Sequence, residues 1–468
     1  MENKTEQKFD YTVIGSGPGG YVSAIRAAQL GLKAAIIEKA ELGGVCLNWG
    51  CIPTKALLHC AHSFKNIQTL PGVELPSEIR VKIDEMVKHS RQTAEKLSRG
   101  VASLLKKYKV TVLTGHAEFI KPDTLKIVNS QDNSELQILS KYIVIATGAR
   151  AREFENMKFS KNIWSSREAM VPDATPKTLL VIGGGAIGLE FADFYACLGS
   201  KVTLLEAAEH ILPADEQATS SALKKALTKT GVEIIEQCKV TGLTDDGKSV
   251  NVVYTYNDQS TEKKFDKALL AVGTTANTEN LGLDILGINL EGGRIPTDEL
   301  CRVKNQKNIF AIGDVTPGKQ LAHKASYEGL VAAETAAGNR VRPLENHLVP
   351  ACIYTSPQVA SIGYTKTELE AKKIPFDVGE FPFLASGKAL AMQHGDGSAR
   401  VYIHKETGEL LGAHFVGPEV TELISSFGIG MSSELTWHEM HETIFAHPTL
   451  SEAVHEAISV AKKVSCNY

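Results

Sequence analysis

The sequence predicts an α/β chain of two doubly wound halves followed by a C-terminal α+β domain. Three observations predict it. A strand, a glycine turn and a helix occur in the same order twice, at Tyr11 to Leu30 and at Leu179 to Leu198. Three further apolar runs each end in glycine, as buried parallel strands do where their carboxyl ends open onto a ligand. Beyond Pro343 the pattern turns to short strands separated by turn residues and followed by helices.

Length and composition set the bounds. At about 150 residues per domain, 468 residues make about three domains. A hydrophobic fraction of 43%, with 22% charged residues, is ordinary globular composition and excludes disordered and fibrous classes. The balance 50 − 54 = −4 and a pI near 6.4 leave no large basic surface, so nucleic acid is excluded as a partner. The start MENKTEQKFD is polar and carries no apolar leader core, and no stretch approaches the roughly 20 apolar residues that cross a bilayer. The expectation is a cytoplasmic protein without membrane insertion. Eight cysteines are too few for a disulfide scaffold, so the close pair Cys46 and Cys51 calls for redox or metal chemistry.

The elements follow in order. The run Tyr11 to Ile14 is a strand that ends at Gly15, and Tyr21 to Leu30 has helical spacing. Between them Gly15-x-Gly17-x-x-Gly20 lets the backbone pass close to a pyrophosphate at a helix N-terminus, while Glu38 can accept hydrogen bonds from a ribose. Val81 to Lys107 reads as a long helix with a solvated face. Tyr142 to Thr147, before Gly148, closes this first unit. Leu179 to Ile182, the glycines Gly183, Gly185 and Gly188, and Glu206 repeat the fingerprint, and the acid follows the first glycine by the same interval, 38 − 15 = 206 − 183 = 23. Ala268 to Val272, before Gly273, closes the second unit, and Ile309 to Ile312, before Gly313, returns the chain to the first. This gives two Rossmann-like dinucleotide-binding domains: 1–149 completed by 276–345, and 150–275. The α+β domain covers 346–468, with strands at Ile353 to Thr355, Phe376 to Phe383, Ala399 to His404 and Leu410 to Val416.

Two dinucleotides in one chain imply electron transfer between them. The Glu206 carboxylate would repel a 2′-phosphate, and the following Ala207-Ala208-Glu209 offers no arginine, which favours NAD over NADP. Cys46 and Cys51 are five apart, about 140° around an ideal helix, so they could bridge only if Gly50 and Pro53 distort the turn. Such a bridge would be strained and easily reduced. Two inert thiols are one alternative. Zinc is another, although no second Cys or His pair stands at metal spacing, and no metal is expected. His447 precedes Pro448 in HPTLSE, and Glu452 could fix its imidazole tautomer; by itself the histidine could equally be a surface or core residue. The His447–Pro448 bond is a candidate cis peptide.

The blocks GGVCLNWGCIPTK, IVIATGA, GGGAIGLE, IFAIGDV, LAHKA and HPTLSE stand in the order found in the pyridine nucleotide-disulfide oxidoreductases. The chain resembles this family over nearly its whole length past the first eight residues. It most resembles the members that oxidise dihydrolipoamide as E3 components of 2-oxo acid dehydrogenase complexes. The resemblance implies one tightly bound FAD per subunit at the first site, NAD+ at the second, and a C-terminal domain that forms a homodimer. It implies that Cys51 faces the flavin, that Cys46 exchanges with substrate, and that His447 and Glu452 serve the opposite subunit. Carried over by position, Lys55 lies near the flavin and pairs with Glu190. Asp314 binds the ribityl chain, and Ala322 in the Leu321 to His323 segment meets the flavin ring. Thr147 and Gly148 border the FAD, Gly115 approaches its adenosine side, and Val240 and Gly273 line the NAD site.

Implied partners are lipoyl domains, the E2 subunit-binding domain and the glycine cleavage H protein. Related reductases of glutathione, trypanothione or mercuric ion are the alternative, against which stand Glu206 and the lone Cys466; a non-catalytic flavoprotein subunit is another. The chain departs from the family at Trp49, where a smaller aliphatic residue is usual, and at Ser386-Gly387-Lys388, where Asn-Ser-Arg is usual.

Overall fold

A computed structural model describes residues 7–76, 79–129 and 131–468, so the first six residues of the polar N-terminus lie outside the described residues. The chain divides into two compact units: Met1–Ala56 with Glu85–Arg152 and Thr274–Asn346, and Leu57–Asp84 with Glu153–Gly273 and His347–Tyr468.

The first unit begins with β1 (Gln7–Ile14), α1 (Pro18–Gln29) and β2 (Ala34–Glu38). The helix starts three residues before the apolar spacing does, because its N-terminus is the glycine fingerprint itself. The cysteine block forms α2 (Gly44–Trp49) and the start of α3 (Cys51–Ile67), and the Lys/Glu-rich stretch forms α4 (Ile83–Lys107). Then come β3 (Thr111–Thr114), β4 (His116–Lys121), β5 (Thr124–Val128), β6 (Glu135–Ile145) and β7 (Ala149–Ala151). The sheet order is β3-β2-β1-β6-β5-β4. Its centre is parallel, and the far ends of β1 and β6 are buried, as apolar runs covered on both faces must be. The β4–β5 hairpin is antiparallel and turns at Pro122-Asp123, a turn signal that the sequence reading passed over.

The second unit carries β8 (Ile163–Trp164), α5 (Ser166–Ala169), β9 (Thr178–Ile182), α6 (Ala186–Cys197), β10 (Lys201–Leu205), α7 (Gln217–Lys229) and β11 (Glu233–Ile235). A meander of β12 (Lys239–Asp245), β13 (Val250–Tyr256) and β14 (Gln259–Phe265) follows, then β15 (Lys267–Leu270). The parallel sheet runs β11-β10-β9-β15-β8. Phe191, Phe194 and Tyr195 of α6 are all buried together with Glu190 and Asp193, so that helix is buried nearly all round.

The chain then re-enters the first unit. β16 (Thr274–Ala276) pairs with β7, β17 (Ile309–Ala311) adds to β6, and α8 (Ala322–Ala336) packs on α1. That packing needs small residues, because a Cβ on Gly329 would fall on the Gly19 carbonyl.

The remaining segment belongs to the second unit. Its strands are β18 (Ala351–Ile353), β19 (Gln358–Gly363), β20 (Phe376–Pro382), β21 (Ser398–His404) and β22 (Leu410–Gly417). Its helices are α9 (Lys366–Ala371), α10 (Gly387–Ala391), α11 (Val420–Ser432), α12 (Trp437–Glu442) and α13 (Glu452–Ala461). The antiparallel order is β18-β19-β22-β21-β20, and every residue of the central strand β22 is buried. Phe381, Phe383, Phe415 and Phe427 form the core of this part with Ile424, Val454 and Ile458. The strand expected at Ile353 to Thr355 ends at Ile353, because the Tyr354 and Ser356 amides bond instead to Glu190 and Asp193 of α6. Among the described residues no helix is long and apolar enough to cross a membrane.

Candidate active site: two glycine loops, a thiol pair and an imidazole–carboxylate pair

At the first glycine loop, Gly15 has φ +102°, and a Cβ there would strike the Ala146 carbonyl; one on Gly20 would strike the Gly15 carbonyl. These two glycines are demanded by the protein itself. Gly17 is not: its φ is −60°, and a Cβ there would meet nothing within 4 Å. It caps α1 without a side-chain acceptor, so no side chain takes up the first amides of the helix. This is the approach path that a pyrophosphate requires. Glu38 closes the loop, its Oε2 accepting the Ser16 amide at 2.9 Å and the Ser16 hydroxyl at 2.6 Å. The Gly115 amide donates to the Glu38 carbonyl at 2.9 Å, which sets Gly115 at the same strand end.

The second loop repeats this. Gly183 has φ +110° and abuts the Ala271 carbonyl, Gly188 abuts the Gly183 carbonyl, and Gly185 caps α6 with nothing within 4 Å of a Cβ. Glu206 accepts the Gly184 amide at 2.5 Å and the Ala208 amide at 2.7 Å. Both loops therefore fit a dinucleotide: helix ends without a side-chain cap, a cradle that a methyl group would fill, and an acid at the ribose position. Gly273, φ +93°, lies just past the end of β15, and Val240 lies in β12.

The cysteine block docks on the first loop. The Gly43 amide donates to Ser16, to its carbonyl at 3.1 Å and its hydroxyl at 3.2 Å, and a Cβ on Gly44 would touch the Gly17 backbone. The chain breaks at Gly50, with φ −155° and ψ −115°, between α2 and α3. Gly50 is one of the two residues that the sequence nominated for the distortion; Pro53 lies inside the first turn of α3. The break brings Cys46 and Cys51 together as unbridged thiols within hydrogen-bonding reach. The bond to Cys51, then burial, pushes the Cys46 thiol far above its ordinary value, and the Lys55 ammonium pulls it back. Trp49 finds a partner that no local pattern shows: Arg91 stacks on its ring at 3.9 Å and donates to the Asn48 carbonyl. Ser16 and Arg91 are the residues that sequence reasoning missed. Ser16 stood as an unassigned position of G-x-G, and Arg91 gave no signal.

Near the carboxyl end of β6, the Thr147 hydroxyl donates to the Asn277 carbonyl at 2.7 Å, and Gly148 has φ +67°. Asp314 sits in a 3₁₀ turn, where burial lifts its carboxyl while Lys324 and Arg294 draw it down. The buried Lys324–Glu328 pair, at 2.5 Å, holds that turn through the Gly313 amide, and Ala322 opens α8. Glu190, buried on α6, accepts the Tyr354 amide at 3.1 Å.

In the second unit, His447 Nδ1 meets Glu452 Oε1 at 2.9 Å, which leaves Nε2 free. Burial raises the Glu452 carboxyl, but the Thr449 amide and His447 outweigh it and hold the group below its ordinary value. The His447–Pro448 peptide is cis. The imidazole is 80% exposed, beside Ile444 at 96%.

The family model described as pyridine nucleotide-disulphide oxidoreductase matches residues 9–329, and that of the family's dimerisation domain matches 349–458. The chain belongs to this family. Among curated proteins it is 44% identical to a dihydrolipoyl dehydrogenase of Zymomonas mobilis, over 97% of this chain and 98% of that one. It is 40% identical to one of Geobacillus stearothermophilus, over 96% and 95%. Among solved structures, LpdA of Mycobacterium tuberculosis superposes with a TM-score of 0.90 at 25% identity, over 98% of this chain and all of that one. The HOCl-induced flavoprotein disulfide reductase RclA of Escherichia coli superposes at 0.85 with 26% identity, over 96% and 99%. The chain is accordingly an oxidoreductase of the dihydrolipoyl dehydrogenase type, a flavoprotein that uses FAD and NAD and works as a homodimer.

Proposed function

We propose that Cys46 and Cys51 form the redox disulfide through which this chain reoxidises protein-bound dihydrolipoamide, and that His447, held by Glu452, is the acid-base residue and serves the opposite subunit. The observation that carries this reading is the docking of the thiol pair on the first glycine loop through Ser16 and Gly43. His447 Nε2 takes the proton of one substrate thiol. The resulting thiolate attacks Cys46, the Cys46–Cys51 bond breaks, and Cys51 leaves as a thiolate. The second substrate sulfur then displaces Cys46, which takes the first proton from His447; His447 accepts the proton of that second sulfur, and the lipoyl ring closes. The substrate has lost two electrons, and the two cysteines hold them. Bound FAD and NAD+ supply the route by which that pair leaves as NADH.

On this reading Gly15, Gly17, Gly20, Glu38, Gly115, Thr147, Gly148, Asp314 and Ala322 hold FAD, with Lys55 and Glu190 beside its ring. Gly183, Gly185, Gly188, Glu206, Val240 and Gly273 hold NAD. The Glu206 carboxylate, already bonded to two backbone amides, leaves no positive charge for a 2′-phosphate. The physiological donors are the lipoyl domains of 2-oxo acid dehydrogenase complexes, reached through the E2 subunit-binding domain, and the glycine cleavage H protein. The compartment is the cytoplasm, whose reducing conditions keep the six cysteines outside the redox pair as thiols.

The test compares dihydrolipoamide with glutathione as donor, and NAD+ with NADP+ as acceptor. Turnover confined to dihydrolipoamide and NAD+ is expected. Faster reaction with glutathione, or with NADP+, overturns the assignment.

A further inference from the structure

His62 of α3 and two residues of α6, Asp193 and Cys197, bring three different donor atoms together away from either glycine loop. Asp193 and Cys197 are four apart and share one face of their helix. His62 Nε2 lies 2.7 Å from Asp193 Oδ2, Cys197 Sγ lies 3.7 Å from Asp193 Oδ1, and the donor atoms all fall within 4.8 Å of one another. Asp193 is fully buried, Cys197 is nearly so, and the His62 side chain keeps 21% of its surface exposed.

We propose that His62, Asp193 and Cys197 form a zinc-binding site. Tetrahedral zinc at the usual bond lengths of about 2.0–2.3 Å separates its ligand atoms by roughly 3.4–3.8 Å. The Cys197 Sγ–Asp193 Oδ1 distance of 3.7 Å already meets this, His62 Nε2 has to draw back from Asp193 Oδ2 by about 1 Å, and the imidazole and the sulfur, which lie within 4.8 Å, have to close by no more than about 1.4 Å. A mixed nitrogen, oxygen and sulfur set suits zinc and rejects magnesium and calcium, which take oxygen ligands. The Ser356 amide bonds Asp193 Oδ2 at 2.9 Å and fixes the carboxylate from outside, as outer partners do in metal sites. Three protein ligands leave a fourth position for water, and the exposed edge of His62 is the way in.

The proton balance is defined. Burial first, and the Asp193 carboxylate second, push the Cys197 thiol up to about 12, while Lys65 draws it down. Zinc therefore displaces the thiol proton, and the proton on His62 Nε2 moves to Nδ1. With one proton released per ion, affinity falls about tenfold for each unit of falling pH in the neutral range.

The experiment uses holoenzyme with the Cys46–Cys51 pair oxidised, so that the redox thiols cannot compete. The protein is equilibrated with zinc chloride, desalted and assayed for metal per subunit by plasma mass spectrometry. One zinc per subunit is expected, with a zinc-dependent rise in melting temperature. Cys197→Ala and His62→Gln should each weaken binding by more than the roughly 10- to 100-fold that loss of an outer partner brings, with flavin content unchanged. Zinc retained by both variants, zinc lost on Cys46→Ser/Cys51→Ser substitution, or no zinc on the wild-type chain overturns the site. His62→Gln keeps the test decisive if Cys197→Ala fails to fold.

Discussion

Gly185→Ala separates what the fold needs from what a nucleotide needs. Gly185 has φ −82° and ψ −178°, extended backbone that any residue adopts, and a Cβ there meets no atom within 4 Å. The folded chain therefore has room for the methyl group. Alanine stiffens the unfolded chain by about 0.4–1 kcal/mol and is a somewhat poorer N-cap than glycine, and these effects nearly cancel. The melting temperature should hardly move. A pyrophosphate at the N-terminus of α6 would meet that methyl, and overfilling a tight contact costs about 1–3 kcal/mol. At 1.4 kcal/mol per tenfold, NAD+ affinity falls by about 5- to 150-fold.

Gly188→Ala is the contrast, because its Cβ lands on the Gly183 carbonyl and the fold itself has to give. That variant should lose both melting temperature and NAD+ affinity. The assay measures KM for NAD+ at saturating dihydrolipoamide, flavin absorbance and thermal unfolding for the two proteins side by side. An unchanged KM in Gly185→Ala, or a loss of melting temperature as large as that of Gly188→Ala, would refute the argument.

The other predictions rest on the thiols, the imidazole and a buried ion pair. Cys46→Ser should keep the long-wavelength thiolate-to-flavin absorption while losing lipoamide turnover, and Cys51→Ser should abolish that absorption; the reverse pattern would exchange their roles. His447→Gln should lower turnover by roughly 10²- to 10⁴-fold with flavin retained. Subunit exchange between Cys46→Ser and His447→Gln chains should restore one working site per mixed dimer, and no recovery despite proven exchange would place His447 in its own subunit's site. His414 is buried against Asp215 at 3.0 Å. Burial lowers its pKa, but Asp215 and Glu216 more than reverse this, so the folded value lies above the ordinary 6.5. Its contribution is whole below pH 6.5 and is lost as pH rises through the folded value. His414→Gln should destabilise by about 3–5 kcal/mol, most at acid pH, in chemical unfolding across pH; an effect that grows with rising pH would contradict the sign.

Legibility followed the range of the interaction. The glycine loops could be read because each is a local device: strand, turn and helix lie within about twenty residues, and the acid closes the loop from the next strand. Thr178–Ile182 and Ala186–Cys197 match their expected spans within a residue for the same reason. The meander β12 to β14 was not read, since Gln259–Phe265 is mostly polar and exposed and offers little alternation. Arg91 on Trp49, and His414 on Asp215, join residues 42 and 199 positions apart, and no spacing rule reaches so far. The zinc ligands divide in the same way: the Asp193–Cys197 spacing is helical and visible, whereas His62 stands 131 positions from Asp193.

The imidazole–carboxylate pair shows why a local signal can be read in position and still be incomplete in meaning. HPTLSE correctly placed Glu452 within reach of His447, since a turn and a helix start bring residues five apart together. A general base needs more than a tautomer, because it must stand within about 3 Å of the proton it moves, in a site that excludes bulk water. In the single subunit His447 is 80% exposed, and Ile444 at 96%, Leu384 at 68% and Ile429 at 65% are large apolar side chains left in water on the same domain. Scattered singly such groups are ordinary, but this domain is the family's dimerisation domain. Closing a second copy over that surface would bury the apolar groups and bring the imidazole out of bulk water in one step. On the proposed reading the acid-base residue stands on a face that becomes an active site only in the dimer, and for that reason the mixed-dimer experiment, rather than either single substitution, tests where His447 works.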